Sequence, residues 1–281
     1  MASKKSLLEL IDDHLRDDQT VLPPFDRTAL QIQKELARPE PEIARVEKAI
    51  VADQALTTQV LRTANSAFYK GLTKVGTVRN AIVRLGMGEI ANIVMLVTQR
   101  RNFQARTAWG RRTMQDLWRH SVGCAIGSQW LARVSGYQNQ AHEAFTAGLL
   151  HDVGKLLLLA VIEALSEKAK KKMDLPETLL GEILQRFHTE HGERLMQQWN
   201  LPEHYCQVAR QHHGEDYDHE NGLLLIVRVV NSACAKLGIG VEEDPSLVPA
   251  ALPETSLLGI SEIRLAELEI KLEDASILAA G

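Results

Sequence analysis

The sequence is poor in cysteine, in aromatic residues and in long apolar runs. Its three scattered cysteines, Cys124, Cys206 and Cys234, form no CxxC pair, which excludes a disulfide-framed domain and indicates the reducing cytoplasm. No apolar run approaches the ~20 residues that a membrane helix needs, and the first residues lack the apolar core of a signal peptide. Aromatic residues make up 5% of the chain, so we expect a core of aliphatic side chains.

Charge of one sign is not in large excess either. The chain carries 32 Lys+Arg against 36 Asp+Glu, a formal net charge of -4, which argues against a protein that coats DNA or RNA. Its 281 residues, 45% of them hydrophobic, suffice for one large or two small domains with a sizeable core. The composition favours neither nucleic acid nor a membrane as the partner, and it leaves the oligomeric state open.

Helical periodicity dominates the chain, and strand-like alternation is nearly absent. We therefore predict an all-α fold with an N-terminal helical subdomain at 1–105, a second helical bundle at 106–240, and a C-terminal loop and helix at 241–281. The predicted helices span 25–37, 41–51, 55–64, 77–85, 88–103, 113–134, 140–162, 176–198, 203–212, 222–237 and 261–280.

A basic stretch marks the boundary between the two predicted halves. It contains Arg100, Arg101, Arg106, Arg111 and Arg112. Clustered guanidinium groups can receive a phosphate or an acidic partner. The alternative is a solvated connecting face, and a single sequence favours that simpler interpretation.

Nine of the ten histidines fall between His120 and His219. Several of them share the apolar face of a predicted helix and so point inward. Asp116 lies one turn before His120, near the same face. His191 lies on the apolar stripe of its helix, whereas His188 lies to one side of it, so His191 is the preferred candidate. The inward set from five helices is His120, His151 with Asp152, His191, His212 with His213, and Asn231.

This set predicts a shared cation. A single inward histidine is more often a hydrogen-bonded core residue than a ligand, but five helices with one polar group each would carry five burial penalties. One divalent transition metal could satisfy several groups at once, and imidazole with carboxylate suits Fe, Mn, Zn, Co or Ni. Periodicity alone does not show that the five faces meet, so separately bonded histidines remain the alternative.

The same residues resemble a known pattern. His120, the GLLHDVGK segment that contains His151 and Asp152, and the later histidines are similar to the HD metal-dependent phosphohydrolase superfamily. The resemblance to the HDOD family, the HD-related output domain, is closer and covers roughly residues 20–230. Its motifs are Leu22-Pro23-Pro24, Asn65-Ser66-Ala67, GLLHDVGKLLL, His191-Gly192-Glu193 and Trp199-Asn200-Leu201-Pro202.

The resemblance implies an HD-like helical bundle packed against an N-terminal helical subdomain. HDOD proteins are bacterial regulatory or output modules, often linked to two-component or cyclic-nucleotide signalling, and most have no established catalytic activity. The implied partners are a signalling protein or a nucleotide-type ligand. HD relatives that cleave phosphodiesters hold two or three metal ions, which activate a water molecule.

The resemblance implies that the residues at the family's ligand positions bind metal here too. These residues are His120, His151, Asp152, His191, His212 and His213. Asp116 matches an extra acidic ligand of some relatives. Lys155 matches the lysine of the HDxGK motif, which would contact a substrate phosphate, although a helix-surface lysine is an equal alternative.

Two departures bear on activity. Asn231 stands where the superfamily has its last ligand, an aspartate, and a neutral amide removes one charge and cannot bridge two cations. The Gly-Tyr-Pro loop of cyclic-di-GMP phosphodiesterases is missing after His213. We therefore expect a signal-transduction module that binds a partner or ligand with a partly degenerate metal site. The alternative is an active metal-dependent phosphohydrolase or phosphodiesterase that acts on a nucleotide.

Overall fold

Helices account for all the regular structure of the described residues. The computed structural model describes residues 7–16, 24–69, 71, 73–168, 176–241 and 243–280, and these contain no strand. The all-α prediction is confirmed. Leu22 and Pro23 of the first quoted motif lie outside the described residues. The helices are α1 (Leu7–Arg16), α2 (Arg27–Leu36), α3 (Ile43–Val51), α4 (Gln54–Ala64), α5 (Val78–Leu85), α6 (Met87–Gln99), α7 (Ala108–Val134), α8 (Ala141–Leu150), α9 (Val153–Lys168), α10 (Glu177–Gln198), α11 (Glu203–Gln211), α12 (Gly222–Lys236), α13 (Pro253–Leu257) and α14 (Glu262–Ala280).

The long helix α7 begins earlier than its apolar pattern predicts. It starts at Ala108 and not at 113, because Thr107 caps it by accepting a hydrogen bond from the backbone N–H of Gly110. The buried carboxylate of Glu163 in α9 accepts two further hydrogen bonds, from the backbone N–H groups of Arg106 and Thr107. A residue that is distant in sequence therefore fixes this helix end.

The prediction of one continuous helix over 140–162 is wrong. A turn at His151 and Asp152 divides this segment into α8 and α9. Both flanks are apolar and almost fully buried, so the hydrophobic pattern continues through the break. The segment Gln138–Glu167 is apolar and long enough to cross a membrane, but 94% of its most apolar window is buried inside the protein. It is a core segment.

Helix α7 is the central element of the second half. It packs against α8, α9 and α12, and α14 lies along it. Helices α9 and α11 flank α10, and α6 packs against α2, α4 and α8. One continuous cluster of buried aliphatic side chains extends through these helices. The subdomain boundaries near 105 and 240 remain predictions.

Two glycines allow helices to touch backbone to backbone around the turn formed by His151 and Asp152, which we call the HD turn. A Cβ atom added to Gly148 of α8 would lie 2.4 Å from the carbonyl oxygen of Cys124 in α7. A Cβ atom added to Gly154 of α9 would lie 1.9 Å from the carbonyl oxygen of His188 in α10. Since backbone cannot give way as a flexible side chain can, these contacts set how closely α7 and α10 approach His151 and Asp152.

We expect Gly154→Ala to lower the free energy of unfolding by about 2 kcal/mol or more, because the added methyl overpacks a backbone contact. Gly181→Ala is the matched control in α10, since a Cβ atom there meets nothing within 4 Å. That variant should keep its stability or gain up to about 1 kcal/mol. Urea unfolding measures both, and equal stabilities of the two variants would contradict the assignment.

Candidate metal centre

A buried carboxylate lies at the centre of the second half. The turn between α8 and α9 places His151 at 0% exposure and Asp152 at 4%. Leu149, Leu150 and Val153 around the turn are buried as well. A charged carboxylate in such surroundings costs several kcal/mol unless partners surround it. The environment of Asp152 therefore decides what the site can do.

Four imidazole rings surround the carboxylate of Asp152 and divide its two oxygens between them. The Nε2 atoms of His188 and His212 each lie 3.3 Å from Oδ1. The Nε2 atoms of His120 and His151 lie 3.3 and 3.6 Å from Oδ2. One carboxylate thus faces two pairs of rings that come from α7, the HD turn, α10 and the end of α11.

The outer nitrogen of each ring lies within hydrogen-bond distance of a backbone carbonyl. A ring that donates from Nδ1 is held in the neutral tautomer whose Nε2 carries a lone pair. When all four rings are neutral, their inward nitrogens are acceptors that face the carboxylate. The Nδ1 to oxygen distances are 2.9 Å for His120 to Ile239, 2.8 Å for His151 to Gly148, 2.8 Å for His188 to Leu184 and 2.9 Å for His212 to Ala209.

Lone pairs consequently face lone pairs in a dry interior. The Nε2 atoms of His120 and His151 are 3.3 Å apart, and those of His188 and His212 are 3.1 Å apart. Apart from the Lys155 ammonium, which lies 3.0 Å from Oδ2, the groups that the described structure places against the Asp152 carboxylate are these imidazole nitrogens. Buried acceptors without donors are costly, and a cation placed among them removes that cost. The donor set therefore fits divalent metal ions.

Three groups of ligand atoms, each within 4.8 Å of one another, lie at this centre. The first two share Asp152: one adds His188, His212 and His213, and the other adds His120 and His151. A carboxylate shared by two groups is the arrangement that bridges two ions. The third group joins His120 to two thiols, Cys124 and Cys234.

The group that contains the two thiols and one of the groups that contain Asp152 share the Nε2 atom of His120 as a ligand. The sulfur of Cys124 lies 3.6 Å from His120 Nε2 and 3.7 Å from the sulfur of Cys234. Sulfur ligands favour softer ions than imidazole and carboxylate do. Because one Nε2 atom binds one ion at a time, a metal held by the thiols would leave the Asp152 group without His120.

The titration of these groups follows from burial and from Asp152. Burial lowers the pKa of His151 to about 3, and it also lowers the pKa values of His188 and His212. Burial opposes protonation of His120 too, but hydrogen bonds to Asp152 and Cys234 outweigh it and raise the pKa of His120 to about 10. In the metal-free protein, His120 therefore takes the proton that balances the carboxylate.

Asp152 itself stays ionised. Burial would raise its pKa, but the charge of Lys155 and the neighbouring rings hold the pKa of Asp152 well below its usual range. The Nζ atom of Lys155 lies 3.0 Å from Oδ2, and the lysine is buried. This lysine is therefore not a surface residue of α9.

A cavity of about 250 Å³ adjoins the centre. One side is formed by ligand-type residues of the centre and by Lys155. The other side is formed by α12 and by the segment that follows it, including α13. The lining residues are Leu117, His120, Asp152, Lys155, His212, His213, Arg228, Asn231, Ser232, Ala235, Val241, Leu247, Leu252 and Glu254.

Comparison with known sequences decides the family. The sequence profile of the HDOD domain matches residues 22–215, more than half of the chain. The chain belongs to the HDOD family. A curated but uncharacterised protein of Treponema pallidum (strain Nichols) is 25% identical over 212 residues, which cover 74% of this chain and 39% of that protein. This HDOD chain thus spans about two fifths of the length of the curated relative that it matches.

Solved structures share the HDOD fold. An HDOD domain protein of unknown function from Geobacter sulfurreducens is 22% identical, with a TM-score of 0.78 and coverage of 97% of this chain and 96% of that one. A protein from Shewanella amazonensis SB2B, provisionally named a metal-dependent phosphohydrolase, is 17% identical, with a TM-score of 0.70 and coverage of 97% and 96%. At these identities the likeness concerns the fold alone.

The HDOD centre includes most of the residues that the sequence suggested. His120, His151, Asp152, His212 and His213 belong to the groups described above, and Lys155 and Asn231 line the adjoining cavity.

Two of the predicted metal ligands, Asp116 and His191, lie outside the metal centre. Among the described residues, neither belongs to any of the three groups. Asp116 is half-buried and lies 3.3 Å from Arg119 Nη2. His191 is buried in α10, one turn beyond the ring that contacts Asp152.

His188, and not the preferred candidate His191, is the histidine of α10 that faces Asp152. It is 0% exposed and contacts both Asp152 and His212. It lies beside the main apolar stripe of α10 because that stripe faces the general core, whereas the centre lies between α9, α10 and α11. The backbone contact between His188 and Gly154 marks this side of the helix, but only the fold reveals that contact.

A pair of variants in α10 tests the ligand assignment. We expect His188→Ala to lower bound metal after loading with Mn²⁺, because it removes a nitrogen that faces Asp152 Oδ1. His191→Ala, one turn away, should retain wild-type metal content. Elemental analysis of dialysed protein measures ions per chain, with roughly two expected in the wild type. Loss in the His191 variant with retention in the His188 variant would reverse the assignment.

The metal-free protein should lose stability as the pH falls below about 6.5. Folded His151, His188 and His212 stay neutral because their pKa values are lowered, whereas the unfolded chain binds protons there near pH 6.5. The free energy of unfolding then falls by about 1.4 kcal/mol per pH unit for each extra proton.

Urea unfolding in EDTA at several pH values measures this slope. His212→Gln should make it shallower, and His219→Gln, at an exposed position, should not. A slope that is unchanged in the His212 variant would contradict the prediction.

Proposed function

We propose that this HDOD protein is a regulatory module of bacterial signal transduction that binds a small phosphorylated ligand over a divalent metal centre without turning it over. The observation that carries the proposal is the position of Asn231. It lines the cavity together with Asp152, His120 and His212, where it offers a neutral amide. The proposal takes the grouped histidines and Asp152 as the ligand set for binding, and it takes Asn231 as the replacement of one anionic group that catalysis needs.

The charge of the cavity supports an anionic ligand. Asp152 is balanced by Lys155 at 3.0 Å, and Glu254 is balanced by the Nε atom of Arg228. Divalent ions beside Asp152 would leave this neutral lining with excess positive charge. A phosphate group compensates such an excess, and Lys155 is placed to contact it.

The size of the cavity supports a nucleotide-type ligand. Its volume of about 250 Å³ is slightly below the roughly 300 Å³ at which small-molecule sites begin, so a ligand no larger than a mononucleotide suits it better than a macromolecule does. Leu247, Leu252 and Glu254 contribute to its wall, although they lie beyond the residues that the family profile matches. We propose that a signalling protein in the cytoplasm reads ligand occupancy through this segment.

One observation favours hydrolysis as a second candidate. The two oxygens of Asp152 face separate pairs of rings, as a carboxylate that bridges two ions would. Divalent ions held there would supply Lewis-acid polarisation of a phosphoryl oxygen. Lys155 would orient the phosphate, and the buried rings would exclude bulk water. Fe, Mn, Zn, Co and Ni all suit these ligands.

Hydrolysis of bis(p-nitrophenyl) phosphate in the presence of Mn²⁺ separates the two candidates. We expect wild-type protein to release no more nitrophenol than Asp152→Asn, whereas Asn231→Asp should gain at least about tenfold over the wild type by restoring an anionic group. Absorbance of the released nitrophenolate measures the rate. Wild-type turnover that Asp152→Asn abolishes would establish the hydrolase instead.

Binding is tested separately by titration calorimetry with AMP on Mn²⁺-loaded protein. Lys155→Ala should weaken AMP binding by about tenfold, because it removes a charged contact to the phosphate. Lys236→Ala is the control, since Lys236 is paired with Glu269 away from the cavity. Equal affinities in both variants would exclude the proposed orientation of the phosphate.

A further inference from the structure

Two cysteines and a histidine meet where α12 packs against α7. His120 and Cys124 are one turn apart on α7, and Cys234 comes from α12. The ligand atoms of these three residues lie within 4.8 Å of one another. Both thiols are fully buried, and His120 is 7% exposed. This arrangement, which we call the thiol triad, shares only His120 with the groups that contain Asp152.

The distances within the thiol triad match those between ligands of one tetrahedral zinc ion. The sulfurs of Cys124 and Cys234 are 3.7 Å apart, and the Cys124 sulfur lies 3.6 Å from His120 Nε2. Zn–S bonds of about 2.3 Å and Zn–N bonds of about 2.0 Å at tetrahedral angles place two sulfurs about 3.8 Å apart, and a sulfur and a nitrogen about 3.6 Å apart. A disulfide joins its sulfurs at about 2.05 Å, so the two free thiols have the spacing of ligands and not of a disulfide.

Ring orientation and charge also suit a divalent ion in the thiol triad. The Nδ1 atom of His120 lies 2.9 Å from the carbonyl oxygen of Ile239, and such a bond orients a metal-bound imidazole. Two thiolates and one divalent ion carry no net charge together, which a dry interior tolerates better than a charged set. Thiolate ligands favour Zn²⁺, whereas carboxylate and water suit harder ions such as Mn²⁺. The thiol triad therefore fits Zn²⁺ better than Mn²⁺.

The metal cavity gives an ion access to the thiol triad. His120 lines that cavity, and so does Asn231, which lies one turn before Cys234 on α12. An ion in the cavity therefore meets His120 first. The thiols need no accessible surface of their own, because a bound ion replaces the contacts that the three ligand atoms make with one another.

Packing alone does not account for the thiol triad. A buried cysteine usually serves as a small apolar side chain. Cys206 of α11 is such a residue, since it is equally buried and its sulfur lies 4.0 Å from the backbone carbonyl oxygen of Leu201. The sulfurs of Cys124 and Cys234 instead face each other and an imidazole nitrogen. Thiols are only weak hydrogen-bond donors, so their mutual contacts give little reason for this convergence.

We propose that His120, Cys124 and Cys234 form a Zn²⁺ site that is distinct from the Asp152 centre. Each thiol releases its proton on binding, and the two thiolates and the Nε2 lone pair of His120 bind the ion. The site does not rest on the proposed function, because it requires neither Asp152 nor a phosphorylated ligand. Since His120 Nε2 binds one ion at a time, Zn²⁺ in the thiol triad leaves the Asp152 groups with the remaining rings.

Loading of reduced, metal-free protein with Co²⁺ tests the proposal, because thiolate ligands give Co²⁺ a charge-transfer absorption in the near ultraviolet that nitrogen and oxygen ligands do not. We expect the wild type to show this band, and Cys124→Ser and Cys234→Ser each to lose it. Cys206→Ser is the matched control, since it removes an equally buried cysteine outside the thiol triad, and it should keep the band. His188→Ala should also keep the band, which separates this site from the Asp152 centre.

Zinc affinity and manganese content give a complementary pair of measurements. Competition with a chromophoric chelator should show that Cys234→Ser binds Zn²⁺ at least about tenfold more weakly than Cys206→Ser does. Elemental analysis after loading with Mn²⁺ should show wild-type manganese content in both variants. Circular dichroism verifies that the serine variants are folded.

X-ray absorption of the wild type loaded with one equivalent of Zn²⁺ depends on no variant. We expect sulfur neighbours at about 2.3 Å from the zinc. The proposal is overturned if the zinc has only nitrogen and oxygen neighbours or if the wild type with Co²⁺ lacks the charge-transfer band. It is also overturned if Cys124→Ser and Cys234→Ser keep that band, or if either control variant loses it.

Discussion

The second half of this protein depends on one electrostatic constraint, the ionised carboxylate of Asp152 in a dry core among four imidazole rings. The backbone carbonyls that bind each Nδ1 atom direct the Nε2 lone pairs inward. Without a cation, the site keeps a proton on His120 to balance the charge. A cation held by His120 Nε2 would displace that proton, so metal binding by His120 and its protonation would exclude each other.

The helices around Asp152 are arranged to satisfy this constraint. The break between α8 and α9 allows two consecutive residues, His151 and Asp152, to reach the same centre, which an unbroken helix would direct about 100° apart. Gly148 and Gly154 then admit the backbones of α7 and α10 at contact distance. A larger residue at either glycine would move a whole ring-bearing helix, because packed backbones do not yield locally.

Local patterns predicted the helices, whereas contacts across the fold decided the details of the centre. Apolar periodicity is a property of each helix, so the helical content and most helix positions were predictable from the sequence. The turn at His151 was hidden because apolar residues continue on both sides of it. His188 was hidden because its partner, Asp152, lies on another helix. Cys234 meets His120 and Cys124 only through the packing of α12 against α7, which no local pattern encodes.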